Sequence, residues 1–193
     1  VATLALLGLL IAFLARSDRA QPLAMAAAEA PGGGGTPPDI SAMSPRERFD
    51  RLYNRVMQAS ESGDEATVSQ FLPMATMAFQ QLDSVDADAR YHLAMMQMHT
   101  GQAAAAASQA DSIVLEHPGH LFGYMIRGTV ARWQKDDAAR SRAEHDFIAQ
   151  YDTEIASKRP EYTEHGRALE QFRQRILEGA GGTTGPVQGK DKS

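Results

Sequence analysis

Residues 87–120 read ADARYHLAMMQMHTGQAAAAASQADSIVLEHPGH, and they describe a hairpin of two helices. Helix-forming runs lie on either side of Thr100-Gly101, and Pro118-Gly119 closes the second run. A glycine between two helices supplies the left-handed backbone that a tight turn needs, and a proline cannot continue a helix. Ala94 and Ala106 stand on either side of the turn, and two antiparallel helices in close approach require small residues.

The same helical periodicity runs outward through residues 44–178, with no strand-like alternation. Ser44-Pro45-Arg46-Glu47 is a start signal, with serine at the N-cap, proline at the first helical position and glutamate three residues after the cap. Phe49, Leu52, Tyr53, Val56 and Met57 then mark one apolar face. Ser62-Gly63-Asp64 ends this helix and caps a second, in which Pro73 predicts a kink. A third helix starts at Asp86, a fourth covers 103–117, a fifth about 121–134 and a sixth about 137–158. Pro160 ends the sixth, and a seventh carries Leu169, Phe172, Ile176 and Leu177. Seven helices joined by short turns predict an all-α domain of successive antiparallel neighbours.

The 34 residues of 87–120 also set a period. With Leu93 and Ala94 in the first helix, Gly101 at the turn, Ala106 in the second helix and Pro118 at its end, the unit resembles a tetratricopeptide repeat (TPR). Arg90 and Gln97 depart from it, standing where aromatic residues are usual. One period later Tyr124 and Gly128 fit, while Arg140 falls where alanine is expected. Thirty-eight residues before Gly101, four more than one period, Gly63 falls on the turn, with Leu52 also in place but Arg55 where leucine is usual. The resemblance implies a right-handed helical solenoid of about three helix-turn-helix repeats with a C-terminal capping helix.

It further implies that the first helix of each pair lines a concave groove. The middle repeat then offers Asp88, Tyr91, Met95, Met98 and His99, and the third offers Phe122, Met125, Thr129, Arg132 and Trp133. Methionine is adaptable and common on binding surfaces. Methionines and aromatics at helical spacing are also the ordinary content of a core, and Tyr53 and Met57 in the first repeat read as core. The Lys and Asn clamp that some family members use for a C-terminal carboxylate is replaced here by Tyr53 and Met57, so a chaperone-tail receptor is not expected.

The ends are different in kind. Residues 1–15, VATLALLGLLIAFLA, carry no charge. Fifteen helical residues span about 22 Å, short of the roughly 30 Å hydrocarbon core. Because the sequence starts at Val, the apolar segment is expected to extend upstream, and 1–19 is read as an N-terminal transmembrane anchor. The alternative is a secretory signal cut near Ala24-Met25-Ala26. Residues 20–43, with PGGGGTPP at 31–38, form a tether of about 25–30 Å root-mean-square reach. Residues 179–193 form a tail of similar composition.

Composition closes several functional classes. The chain of 193 residues has no cysteine, so disulfide scaffolds, thiol nucleophiles and cysteine-ligated metal centres are excluded. A net charge of −5 argues against nucleic acid as a partner. Residues 44–120 hold five basic and ten acidic side chains, so the first repeats form the acidic half, suited to a basic partner. The six histidines, at 92, 99, 117, 120, 145 and 165, show no HExxH spacing. His117 and His120 fall in a turn, and Asp83, Asp86 and Asp88 read as helix-start carboxylates. No cofactor, metal or catalytic set is expected. The reading is a non-catalytic TPR scaffold or accessory subunit. It would be anchored by one span in a bacterial inner membrane, with its domain in the periplasm and other protein subunits as partners. A respiratory or photosynthetic electron-transfer complex and an envelope biogenesis machine both suit it. The alternative is a secreted TPR-like peptide-binding protein.

Overall fold

A computed structural model describes residues 43–181. Among them the chain is all-α, without strands: α1 Pro45–Ser62, α2 Glu65–Gln80, α3 Ala87–His99, α4 Ala103–Glu116, α5 Leu121–Gln134, α6 Asp137–Ala156, α7 Pro160–Glu164 and α8 Gly166–Gly181. The anchor assigned to 1–19, nearly all of the tether and the tail beyond Gly181 lie outside the described residues. No described helix is long and apolar enough to cross a membrane.

Local chemistry sets the boundaries. Ser44 Oγ accepts from the Glu47 N–H at 3.2 Å, while the Ser44 N–H donates to Glu47 Oε2 at 2.8 Å, a reciprocal cap at the start of α1. Gly63 ends the helix with φ of 72°, and Asp64 caps α2 by accepting from the Thr67 N–H at 3.0 Å. Asp86 does the same for α3 through the Ala89 N–H at 2.7 Å. α2 runs unbroken through Pro73.

The helices pack as three consecutive hairpins, α1/α2, α3/α4 and α5/α6, and the first members also touch in sequence, α1 to α3 and α3 to α5. α3 is the shared wall of two cores. Ala89, Leu93 and Met96 face Phe49, Val56, Ala75 and Ala78 of the first hairpin. Tyr91, Ala94 and Met98 face Ile113, Phe122, Met125 and Ile126. Two interleaved stripes, at i, i+4, i+7 and i, i+3, i+7 spacing, therefore occupy one helix, which is why nine of the thirteen residues of α3 are buried. Ala94 and Ala106 are fully buried, and they permit the close α3/α4 approach. α5 also approaches α4 closely, since a Cβ on Gly123 would lie 2.5 Å from Val114 Cγ2.

The single seventh helix expected after Pro160 is instead two. His165 closes α7, its N–H donating to the Glu161 carbonyl at 3.0 Å, and α8 starts at Gly166. Tyr162 draws the short helix inward. Its hydroxyl accepts from the Leu121 N–H at 3.0 Å and donates to Glu154 Oε2 at 2.7 Å. The side chain is buried there against Phe122 and His120. α8 continues through Gly181, so the first residues assigned to the tail are helical. It packs on α5 and α6 through Leu169 and Phe172.

Candidate functional site

The N-terminal turns of α1 and α3 bring a cluster of charged side chains together. Arg46 of α1 donates to both oxygens of Asp50 (2.9 and 3.0 Å) and of Asp86 (2.8 and 2.9 Å), and its remaining nitrogen binds Asp88 Oδ2. Asp88 and His92 lie one turn apart on α3, both buried. His165, at the α7–α8 junction, reaches across to them. Its Nε2 is 3.0 Å from Asp88 Oδ1 and 3.2 Å from His92 Nε2. His92 Nε2 lies 3.8 Å from the same Asp88 oxygen. These three side chains could hold a metal ion.

Aromatic rings fix the imidazoles. Tyr53 stacks on His92 with centroids 3.9 Å apart and planes within 10°, and Tyr91 meets His165 edge-on at 4.7 Å. On its other side the buried Nδ1 of His92 is 3.4 Å from Asp50 Oδ1, outside hydrogen-bond geometry. Burial pushes the His92 pKa below its ordinary value, against the pull of Asp88. Burial acts against ionisation of Asp88, but the His165 hydrogen bond and the charges of His92, His165 and Arg46 outweigh it and hold that carboxyl below the usual range. Burial pushes the Tyr91 hydroxyl up to about 12, aided by Asp88.

A second histidine works structurally. His120 caps α5, its Nδ1 accepting from the Phe122 N–H at 3.3 Å while Nε2 lies 3.2 Å from Glu161 Oε1. One neutral tautomer satisfies both contacts, with the proton on Nε2. Burial lowers the His120 pKa, against the pull of Glu161.

Beside the polar cluster lies an apolar cavity of about 220 Å³ between α3, α5 and α8. Five of the residues assigned to the groove, Tyr91, Met95, Met98, Met125 and Thr129, line it, along with Ile126 and three α8 residues, Ala168, Gln171 and Arg175. Met98 is only 4% exposed and Met125 only 7%, while Met95 is half-buried. Phe122 is fully buried, stacked on Tyr91 at 4.3 Å, and does not line the cavity. Asp88 is in the polar cluster, where it does more than favour a helix start.

The other three assigned residues lie apart from the cavity. His99 binds α1, its Nδ1 3.2 Å from Ser60 Oγ. Arg132 turns to α6 and pairs with Glu144 at 3.0 Å. Trp133, next in sequence, is half exposed. Tyr53 and Met57 pack against the first core, as core residues would.

Sequence reasoning missed the cluster for a definite reason. Asp88 and His92 at i, i+4 were legible as a pair on one helix face. The third member lies 73 residues beyond His92, on a junction that helical periodicity does not mark. Arg90 also has a role the repeat pattern does not give it, pairing with Glu116 at the end of α4 at 2.6 Å. Compared with protein-family models, with curated proteins and with solved structures, the chain matches none.

Proposed function

We propose that this chain is a non-catalytic scaffold subunit of a membrane complex, built on a TPR-like solenoid of three repeats. The first helices of the repeats, α1, α3 and α5, form its inner face. The observation that carries the reading is the methionine-lined cavity between α3, α5 and α8. Concave apolar pockets with a few polar groups at the rim are the usual form of a binding site. Thioether side chains adapt to more than one apolar shape. Thr129, Gln171 and Arg175 supply the polar rim. A short helix or an extended peptide from a neighbouring subunit fits such a place, with an apolar anchor in the cavity.

α8 is itself the capping element of the solenoid in this reading. It covers the last hairpin with Leu169 and Phe172 and turns charged residues outward. Anchor and tether, 1–19 and 20–43, hold the domain at the bilayer, which raises its effective concentration toward membrane partners. The domain lies in the periplasm of a bacterial cell. The Ala24-Met25-Ala26 stretch favours one other reading, a secreted peptide-binding protein released by signal cleavage, and the mass of the mature N-terminus separates the two.

The test is native separation of detergent-solubilised membranes, followed by identification of what travels with the chain. Migration in a large complex with fixed partner stoichiometry is expected. Migration as a free monomer contradicts the proposal.

A further inference from the structure

The inner face carries a second site, independent of partner binding. We propose that Asp88, His92 and His165 bind one first-row transition-metal dication, of which Zn²⁺ is the natural occupant, and that the ion fastens the α7–α8 junction onto α3.

The argument begins with geometry. The three ligand atoms His92 Nε2, His165 Nε2 and Asp88 Oδ1 are separated by 3.2, 3.0 and 3.8 Å. A triangle with those sides has its centre about 2.0 Å from each corner, and zinc binds imidazole nitrogen and carboxylate oxygen at about 2.0–2.2 Å. An ion slightly out of that plane meets all three atoms at bonding distance, with no rearrangement of the helices.

The donor chemistry agrees. Two imidazoles and a carboxylate suit Zn²⁺ and its neighbours better than Ca²⁺ or Mg²⁺, which prefer all-oxygen sets. The two Nε2 atoms face each other at 3.2 Å. Facing ring nitrogens need a shared proton or a cation between them, and the one hydrogen that His165 Nε2 can carry is also claimed by Asp88 Oδ1. A dication meets all three lone pairs at once.

Charge and support complete the case. Arg46 is bound by three carboxylates, Asp50, Asp86 and Asp88, which leaves a surplus of two negative charges around it. A dication balances that surplus. Arg46 also holds the second oxygen of Asp88, so the carboxylate presents Oδ1 alone as a ligand. Asp50 lies beside Nδ1 of His92, the nitrogen that keeps its proton when Nε2 binds metal. The Tyr53 and Tyr91 rings restrain both imidazoles. Three protein ligands leave a fourth position for water or a donor from outside the chain.

The experiment uses the full chain in detergent, stripped with EDTA and titrated calorimetrically with ZnCl₂, and separately with MgCl₂ and CaCl₂. One Zn²⁺ per chain is expected, with no comparable binding of Mg²⁺ or Ca²⁺. Asp88→Asn and His165→Gln each weaken Zn²⁺ at least tenfold. Co²⁺ in place of Zn²⁺ should give the intense visible bands of a tetrahedral nitrogen–oxygen site, a readout that needs no variant to fold. No stoichiometric Zn²⁺, binding unchanged in Asp88→Asn, or Co²⁺ spectra of a fully hydrated ion would each overturn the proposal. Weak binding at the exposed His117 or His145 alone is one form of that negative result.

Discussion

Phe172 of α8 lays its ring edge on Gly128 of α5, so that a Cβ on residue 128 would stand 2.9 Å from Phe172 Cζ. That contact sets how closely α8 approaches α5, and α8 forms one wall of the methionine cavity. Gly128→Ala should therefore destabilise the domain by about 1–2 kcal/mol. Overpacking costs about 1–3 kcal/mol, and the gain of up to about 1 kcal/mol from alanine's helix propensity only partly offsets it. The Phe172 ring is almost fully buried between Ala143, Phe147 and α5, which leaves it little room to yield. Chemical denaturation measures the loss, and amide exchange should locate the extra opening in α8.

His120 makes stability depend on pH. In the folded chain burial keeps its pKa below the ordinary 6.5, and the neutral ring caps α5. The unfolded chain takes up the proton first as pH falls. The contribution is therefore complete above about pH 6.5 and is lost as the pH drops through the lower folded value. Urea midpoints should fall between about pH 7 and pH 5. In His120→Asn, which retains a capping oxygen, part of that fall should disappear. An unchanged slope would mean that other groups carry the acid sensitivity.

Gln97 is half-buried on α3. Its Oε1 is buried without a hydrogen-bond partner, at the place where the repeat pattern calls for an apolar ring. Gln97→Met removes the orphaned acceptor and fills the same volume. Stability should rise by about 1 kcal/mol, since an unsatisfied buried polar atom costs about 1–3 kcal/mol. Thermal or urea unfolding reads this directly, and a loss of stability would show that the amide meets a need beyond the polar contacts seen.

What was legible in the sequence follows from range. Caps and turns are local, so Ser44-Pro45, Gly63-Asp64, Asp86 and Gly101 place helix boundaries within a residue or two. Ala94 and Ala106 betray close packing because small size at paired sites has few other causes. The α7–α8 break was not legible. Its determinant is Tyr162 reaching the Leu121 N–H and Glu154, a tertiary contact with no period in the sequence. The same is true of His165, whose partners come from α3. Helical spacing put the assigned groove residues Tyr91, Met95 and Met98 on one face of α3. It did not show that α8 shares that face, which buries Met98 and Met125 and leaves Met95 as the accessible thioether. Exchanging Met98 for a charged residue would thus disturb the fold as well as any partner.

The central claim is that partners dock on the inner face at the methionine cavity. Site-specific photo-crosslinking in intact membranes tests it most directly, with the reactive group placed at residue 95 or, as a control, at residue 115. Met95 lines the cavity, whereas Leu115 is 83% exposed on the outer helix α4. The account predicts a discrete protein adduct from position 95 and none from position 115. Adducts from position 115 alone, or from neither, would contradict it.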